Sequence, residues 1–351
     1  MGTIERKGSG NLAKSSATAV DQSYLGQAPG SKMRVGILHN PLSGRNRRKP
    51  DLFQEILSRY PEVPCAEVNT PANILEALKT FAQGQVNCLV VNGGDGTIQA
   101  TMGALFHHRP FSALPRLAVL PAGTANLIAG DVGLGKLVPN ILDQFLMEAQ
   151  SSTPKLSIES RPILRIRFPE EREPLYGMFF GAGAIYHGTQ MGLQTKQSIG
   201  RLGEWGAGLI LIKFLLALAT GSRNGLNPIT VRVTAGESRP PLQDEYLVLM
   251  VTTLNRLFLG MKPFWSNNSG PLRFTSLRVP YRYLWRVLPA LLHGHSHPLA
   301  TANHGYISTN LSEIRLAFNS GFVLDGEVYT VSDHEEPLIL DSPGELSFVR
   351  L

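Results

Sequence analysis

Cysteine is scarce in this chain: Cys65 and Cys88 are the only two among 351 residues. Two thiols build neither a disulfide framework nor a Cys-x-x-Cys metal site, and they fit a reducing, cytoplasmic setting. Long apolar runs are missing too. The longest, Gly206 to Ala219, is interrupted by Lys213 and falls short of the ~20 residues that span a bilayer. A protein that is soluble, or peripheral at a membrane, is expected. Residues 1–32 are polar, small and aperiodic. They lack the apolar stretch of a signal peptide and read as a disordered leader. Met1-Gly2 is followed by Arg6 where myristoylation wants Ser or Thr, which excludes that anchor. No aromatic-basic recognition motif is present, so nucleic acid is not an expected partner. The net charge of +6, from 33 basic and 27 acidic residues, is a modest excess that suits an anionic ligand or membrane surface. His293-Gly294-His295-Ser296-His297 has no Cys or carboxylate nearby and reads as a loop. No protein-held metal is predicted there or elsewhere.

The composition is otherwise globular, with 43% hydrophobic and 17% charged residues, and the length allows two domains. Residues 91–97, Val-Asn-Gly-Gly-Asp-Gly-Thr, follow the apolar run Cys88–Val91 and precede a helix-like stretch over 98–106. Strand, glycine turn and helix start make a phosphate-binding layout. Glycine admits the phosphate close to the backbone, and helix N–H groups face it. The turn has no lysine, which excludes a P-loop. Asp95 is therefore placed to act on a metal or a proton. Around this turn, strands at 33–39, 66–69, 88–92 and 116–120 alternate with helices at 51–60 and 71–82. Thr70 caps the second helix and Pro71 starts it. That alternation predicts a parallel α/β sheet over residues 33–153. Three post-strand turns would form one phosphate-lined edge beyond the strand ends: 40–44 with Asn40, Ser43 and Gly44, 92–97 with Gly93, Gly94, Gly96 and Thr97, and 121–126 with Gly123, Thr124 and Asn126.

From 154 to 335 the pattern becomes β-rich. Strands are expected at 163–168, 175–182, 229–234, 245–252, 272–279, 313–318, 321–324 and 327–331. A tail strand over 336–351 would pack back on either domain. Asp325-Gly326-Glu327 follows the apolar Phe322-Val323-Leu324, and Asp-Gly is a favoured hairpin pair.

Four motifs in order bear a family signature: Asn-Pro-x-Ser-Gly at 40–44, Gly-Gly-Asp-Gly-Thr at 93–97, Pro-x-Gly-Thr-x-Asn at 121–126 and Asp-Gly-Glu at 325–327. With Thr70 before its helix, the chain from about Arg34 to Leu351 resembles the diacylglycerol kinase catalytic-domain family, which includes the sphingosine and ceramide kinases. The resemblance implies an N-terminal α/β domain like that of NAD kinases, a C-terminal β-sandwich, and ATP in the cleft between them. It implies nucleotide contacts from Thr70, from Gly93–Gln99 and from Thr124, and a proton acceptor at Glu327 beside Asp325. ATP with Mg²⁺, a lipid hydroxyl and transient contact with a membrane are the implied partners, and a homodimer is left open. Phosphoryl transfer needs charge neutralisation and an oriented nucleophile. Glu327 is the favoured acceptor and Asp95 the second, with Asp95 turned first toward the metal–phosphate network.

Two departures from the family pattern stand out. An aspartate expected after Gly181-Ala182-Gly183 is replaced by Ala184-Ile185. The stretch Ser266 to Leu272 carries no carboxylate where many bacterial members bind Mg²⁺. These leave a degenerate nucleotide- or lipid-binding relative as one rival reading; an NAD kinase-type enzyme, which shares the Gly-Gly-Asp-Gly turn and the α/β domain, is another. Arg278, Arg282 and Arg286 recur at helical spacing with Tyr281, Trp285 and Leu288 between them, which describes a basic interfacial stripe if the segment is helical.

Overall fold

The computed structural model describes residues 33–48, 50–135, 140–170, 172–198, 227–235, 241–331 and 336–351. The leader and the apolar run at 206–219 lie outside the described residues. Among these residues the first sheet has six strands, in the order β2-β1-β3-β4-β17-β5. Strands β1 (Val35–His39), β2 (Cys65–Glu67), β3 (Cys88–Gly93) and β4 (Arg116–Pro121) are mutually parallel. All six residues of β3 are buried. An unbroken apolar run of this kind marks a parallel strand covered on both faces. One face packs Leu89 and Val91 against Leu78 and Met102, and the other packs Val90 against Phe53 and Phe145.

Helices α1 (Pro50–Ser58), α2 (Pro71–Gln83), α3 (Asp95–Gly103), α4 (Leu127–Val132) and α5 (Ile141–Gln150) cover this sheet. Thr70 caps α2 as read from the sequence, its hydroxyl accepting from Asn73 N at 3.2 Å. Helix α3 starts at Asp95 rather than at 98, because Gly94 in extended geometry ends the turn early. The turn is thus shorter than expected, and Gly96 and Thr97 belong to the helix. A π-helical turn, Ala104–His108, follows α3.

The remaining two strands of this sheet come from far along the chain. Strand β17 (Glu345–Arg350) runs parallel to β4 and antiparallel to β5 (Ser157–Pro162). Residues 157–162, grouped by sequence with the β-rich half, therefore sit in the first sheet. The tail is split at Ser342-Pro343-Gly344. Strand β16 (Leu338–Asp341) stays in the second sheet, and β17 returns to the first. Gly344, at φ 151°, makes the bend.

Among the described residues, the second sheet has eleven strands and every pairing in it is antiparallel. It contains β6 (Leu164–Arg167), β7 (Leu175–Gly177), β8 (Phe179–Gly183), β9 (Ile229–Ala235) and β10 (Leu242–Thr252). Farther on come β11 (Leu272–Arg278), β12 (Tyr306–Leu311), β13 (Glu313–Ala317), β14 (Phe322–Leu324) and β15 (Glu327–Tyr329). Strand β10 changes partner along its length, from β9 at 242–246 to β8 at 248–252, while β11 follows its other edge. A register shift between Tyr246 and Val248 absorbs the change. The core of this sheet joins Phe180, Tyr246, Leu249, Ile314, Phe322 and Leu340. The strand expected at 175–182 is broken at Met178, and Gly183, at φ 68°, ends β8 where α6 (Ala184–Ser198) begins. Strand β12 was not foreseen, since its Ser308-Thr309-Asn310 centre reads as loop.

The basic stripe is not one helix. Arg278 lies on β11, its guanidinium bonded to Asp244 at 2.6 Å and to the carbonyl of Ala302. Helix α7 (Leu284–Leu292) begins only after the Val279-Pro280 link. Its Leu284, Val287 and Leu291 pack onto Leu247 and Leu277. Arg282, Trp285 and Arg286 remain exposed.

Candidate active site

The three glycine-bearing turns meet at the carboxyl ends of β1, β3 and β4, and side chains and backbone tie them to one another. Asn40 Nδ2 donates to Thr97 Oγ1 at 2.9 Å. Gly94 N donates to Ser43 Oγ at 3.1 Å, and Arg45 N donates to Ala122 O at 3.0 Å. Gly94 and Gly123 touch backbone to backbone. A Cβ on Gly123 would lie 2.7 Å from Gly94 Cα, closer than real Cβ atoms come. This close approach requires glycine at 123, and a Cβ on Gly94 would press on Gly123 Cα at 3.2 Å. The third turn is closed by Asn126, in left-handed geometry at φ 49°, whose Oδ1 accepts from Gly123 N at 2.8 Å. Thr124 Oγ1 lies 3.4 Å from where a Cβ on Gly44 would be, so the first and third turns are in van der Waals range there as well. Of the residues read as nucleotide-facing, Asn40, Ser43, Gly44, Gly93, Gly94, Gly96, Thr97, Gly123, Thr124 and Asn126 are brought together. Thr70 is the exposed cap of α2, two residues after Val68, whose N–H donates to His39 O at the end of β1.

Asn46 was overlooked in the sequence. Its buried amide donates to Asn40 O at 2.8 Å and to Asn92 O at 3.1 Å, pinning the first turn to the end of β3. The basic run Arg45-Asn46-Arg47-Arg48 hid it. An uncharged polar residue inside such a run is the available signal.

Asp95 is buried, and its carboxylate serves a helix other than its own. Oδ2 accepts from Leu127 N and Oδ1 from Ile128 N, both at 3.1 Å, at the start of α4. Asn126, the residue before α4, offers no side-chain cap, so Asp95 replaces it from α3 and sets its charge at the positive end of the α4 dipole. Burial raises the Asp95 carboxyl to about 6, the backbone donors of 126–128 opposing the rise and the Glu327 charge adding to it.

A carboxyl whose folded pKa lies above its unfolded value costs stability as pH rises through the interval between them. For Asp95 that interval runs from 3.8 to about 6. Asp95→Asn should therefore gain stability relative to the parent chain between pH 4 and pH 7, by roughly 1–3 kcal/mol. Any hydrogen-bond loss in the amide is independent of pH, so the slope of the difference isolates the titration. Urea midpoints at matched pH values check it, and a flat difference would show that Asp95 is not held charged and buried.

The second domain contributes a hairpin. Asp325 and Gly326, at φ 50° and 92°, form its two-residue turn between β14 and β15. Both positive angles match the turn that Asp-Gly favours. The hairpin reading and the site reading of Asp325-Gly326-Glu327 are thus compatible. Asp325 is 2% exposed. It accepts from Phe179 N at 2.8 Å and from Met178 N at 3.1 Å, in the break between β7 and β8. Burial pushes its carboxyl well above the usual range, and the Asp95 charge adds to the push.

Glu327 projects across the seam between the domains. Its Oε1 lies 3.0 Å from where a Cβ on Gly96 would be. Two residues on, Tyr329 donates its hydroxyl to Gln99 Oε1 at 3.2 Å. Alternate strand residues share a face, so the period-2 spacing from Glu327 is the sequence signal for Tyr329. Gln99 is 9% exposed, and its Nε2 is buried with no hydrogen-bond partner. A buried donor left unpaired costs about 1–3 kcal/mol.

The stretch at 266–272 is a structural fastening. Asn268 Nδ2 donates to Asn310 O at 2.6 Å and its Oδ1 accepts from Asn310 N at 2.9 Å, which ties the loop to β12. His293 Nδ1 pairs with Pro289 O and His297 Nδ1 with Leu299 N, so both rings close local backbone. Among the described residues, no group of three or more His, Cys, Asp or Glu is placed to hold a metal ion, and no helix is long and apolar enough to cross a membrane.

Residues 34–156 match the family model described as the diacylglycerol kinase catalytic domain. Solved structures from Bacillus anthracis str. Sterne designated diacylglycerol kinases share the fold. One has a TM-score of 0.61 at 16% identity, over 90% of this chain and 96% of that one. Another has a TM-score of 0.59 at 17% identity over the same shares. No curated protein matches the chain.

Proposed function

Taking as premise that the chain belongs to the diacylglycerol kinase catalytic-domain family through residues 34–156, we propose that it transfers the γ-phosphoryl group of ATP to a lipid hydroxyl. The observation that carries the reading is the Glu327 carboxylate, held across the domain seam over Gly96 of the glycine turn. A phosphate-binding turn and a carboxylate facing it are the two parts that phosphoryl transfer to an alcohol requires. The turns at 40–44, 93–97 and 121–126 cradle the nucleotide phosphates with backbone N–H groups. Glu327 takes the proton of the attacking hydroxyl as the bond to phosphorus forms. Asp95, by capping α4, fixes the third turn against the second. Mg²⁺ would arrive with ATP and take its ligands mainly from the phosphates and water, as it commonly does, since both Asp95 oxygens are engaged by α4. When bound, that ion neutralises charge on the phosphates.

The lipid is reached at a membrane surface in this reading. Exposed Tyr283, Trp285, Arg282 and Arg286 around α7 combine aromatic and basic character as interfacial helices do. An assay of ATP consumption over diacylglycerol, sphingoid bases, ceramide and NAD tests the reaction. Vesicles with and without anionic phospholipid test the surface. Phosphorylation of at least one lipid is expected, faster on anionic vesicles. Phosphorylation of NAD alone, or binding of lipids with no turnover of any, would overturn the reading.

A further inference from the structure

Gln99 falls by family resemblance among the nucleotide contacts, yet its place on α3 points the other way. Thr97 faces the first turn through Asn40. Two residues later, at about 100° per residue, Gln99 comes round to the opposite side, where it meets Tyr329 of the second domain. Gly96, one helical turn before Gln99, meets Glu327 on that side. The pairs Gly96–Glu327 and Gln99–Tyr329 therefore align one face of α3 with one face of β15. The tyrosine is itself held by stacking on Phe322, with ring centroids 5.3 Å apart. Its hydroxyl occupies one end of the Gln99 amide and leaves the other, Nε2, as a buried donor without a partner.

We propose that Gln99 Nε2 binds an oxygen of the phosphate-accepting lipid, next to the hydroxyl that Glu327 deprotonates. This rests on the kinase reading above and deepens it. The favoured acceptor carries an ester or amide carbonyl, or a second hydroxyl, close to its reacting hydroxyl. Nε2 is shut from solvent with the seam closed, so the lipid reaches it as β15 lifts from α3. Opening breaks the Gln99–Tyr329 hydrogen bond and the approach of Glu327 to Gly96, and reclosing over the bound lipid restores both. Tyr329 is a positioning residue, since it orients the amide and does not touch the lipid.

The test compares the parent chain, Gln99→Ala and Tyr329→Phe in mixed micelles with ATP. The acceptors are dioctanoylglycerol and N-octanoylsphingosine, which have the neighbouring oxygen, and 1-decanol, which lacks it. Gln99→Ala should lower kcat/KM about tenfold to hundredfold for whichever oxygen-bearing lipid the parent phosphorylates. It should cost 1-decanol severalfold less, because only the seam contact to Tyr329 is lost there, and it should not raise the KM for ATP. Tyr329→Phe should give a smaller loss, carried by the lipid KM rather than by kcat. It removes one hydroxyl and serves if Gln99→Ala does not fold. Equal loss on all acceptors, a loss in ATP affinity, or no loss would overturn the assignment. If the parent phosphorylates no alcohol, the kinase reading fails on its own. The shift of the unfolding midpoint by dioctanoylglycerol against 1-decanol, in parent and Gln99→Ala, then decides Gln99 separately. Absence of a preference in the parent, or its persistence in the variant, would count against it.

Discussion

Glu327→Gln is expected to lower kcat about 10²–10⁴-fold, the usual contribution of a positioned general base, while ATP affinity stays at the parent value. The amide keeps the size and the hydrogen-bonding oxygen of glutamate but cannot take a proton. The contacts that organise the nucleotide edge run among Asn40, Ser43, Gly94, Thr97, Gly123 and Asn126, and none passes through Glu327. The loss should therefore fall on turnover and not on the ATP dissociation constant, and stability should hold because Glu327 is exposed. Steady-state kinetics with ATP titration by calorimetry check this. Turnover near that of the parent chain would remove Glu327 from the mechanism and leave Asp95 as the acceptor to test. Asp95 is the weaker choice, because both its oxygens already accept from the start of α4.

The edge where the three turns meet was legible in the sequence because its signals are local. Each turn follows an apolar strand, and glycine is required where Gly94 and Gly123 touch. The parallel strands β1, β3 and β4 announced themselves by unbroken apolar runs, and α2 by its Thr70-Pro71 start. What stayed hidden depends on pairings distant in sequence. Nothing local tells β17 to leave the sheet that holds β16 and join β4. Nothing in Asp95 says that its partners are N–H groups 32 and 33 residues onward. The basic stripe failed because a spacing of four residues is necessary for a helical face but not sufficient: Arg278 finishes a strand, and its charge is already paired with Asp244.

Asp325→Ala should cost stability and activity together, which sets it apart from the change at Glu327. Removing the carboxylate orphans the buried N–H groups of Met178 and Phe179, each at about 1–3 kcal/mol. Alanine also tolerates the left-handed turn position less well than aspartate. Against this, the buried carboxyl itself lowers the stability of the parent chain, since burial raises its pKa. The net loss is thus expected near the lower end, roughly 2–3 kcal/mol. Asp325→Asn retains one acceptor and a side chain suited to the turn, so it should fall between parent and alanine in urea midpoint. The activity of both variants should track the geometry of the hairpin, because Asp325 anchors the strand that carries Glu327 to the first domain. Equal urea midpoints for the parent and alanine chains would show that the β7–β8 break is not held by this carboxylate. Glu327 would then owe its place over Gly96 to the Gln99–Tyr329 bond and the rest of the seam.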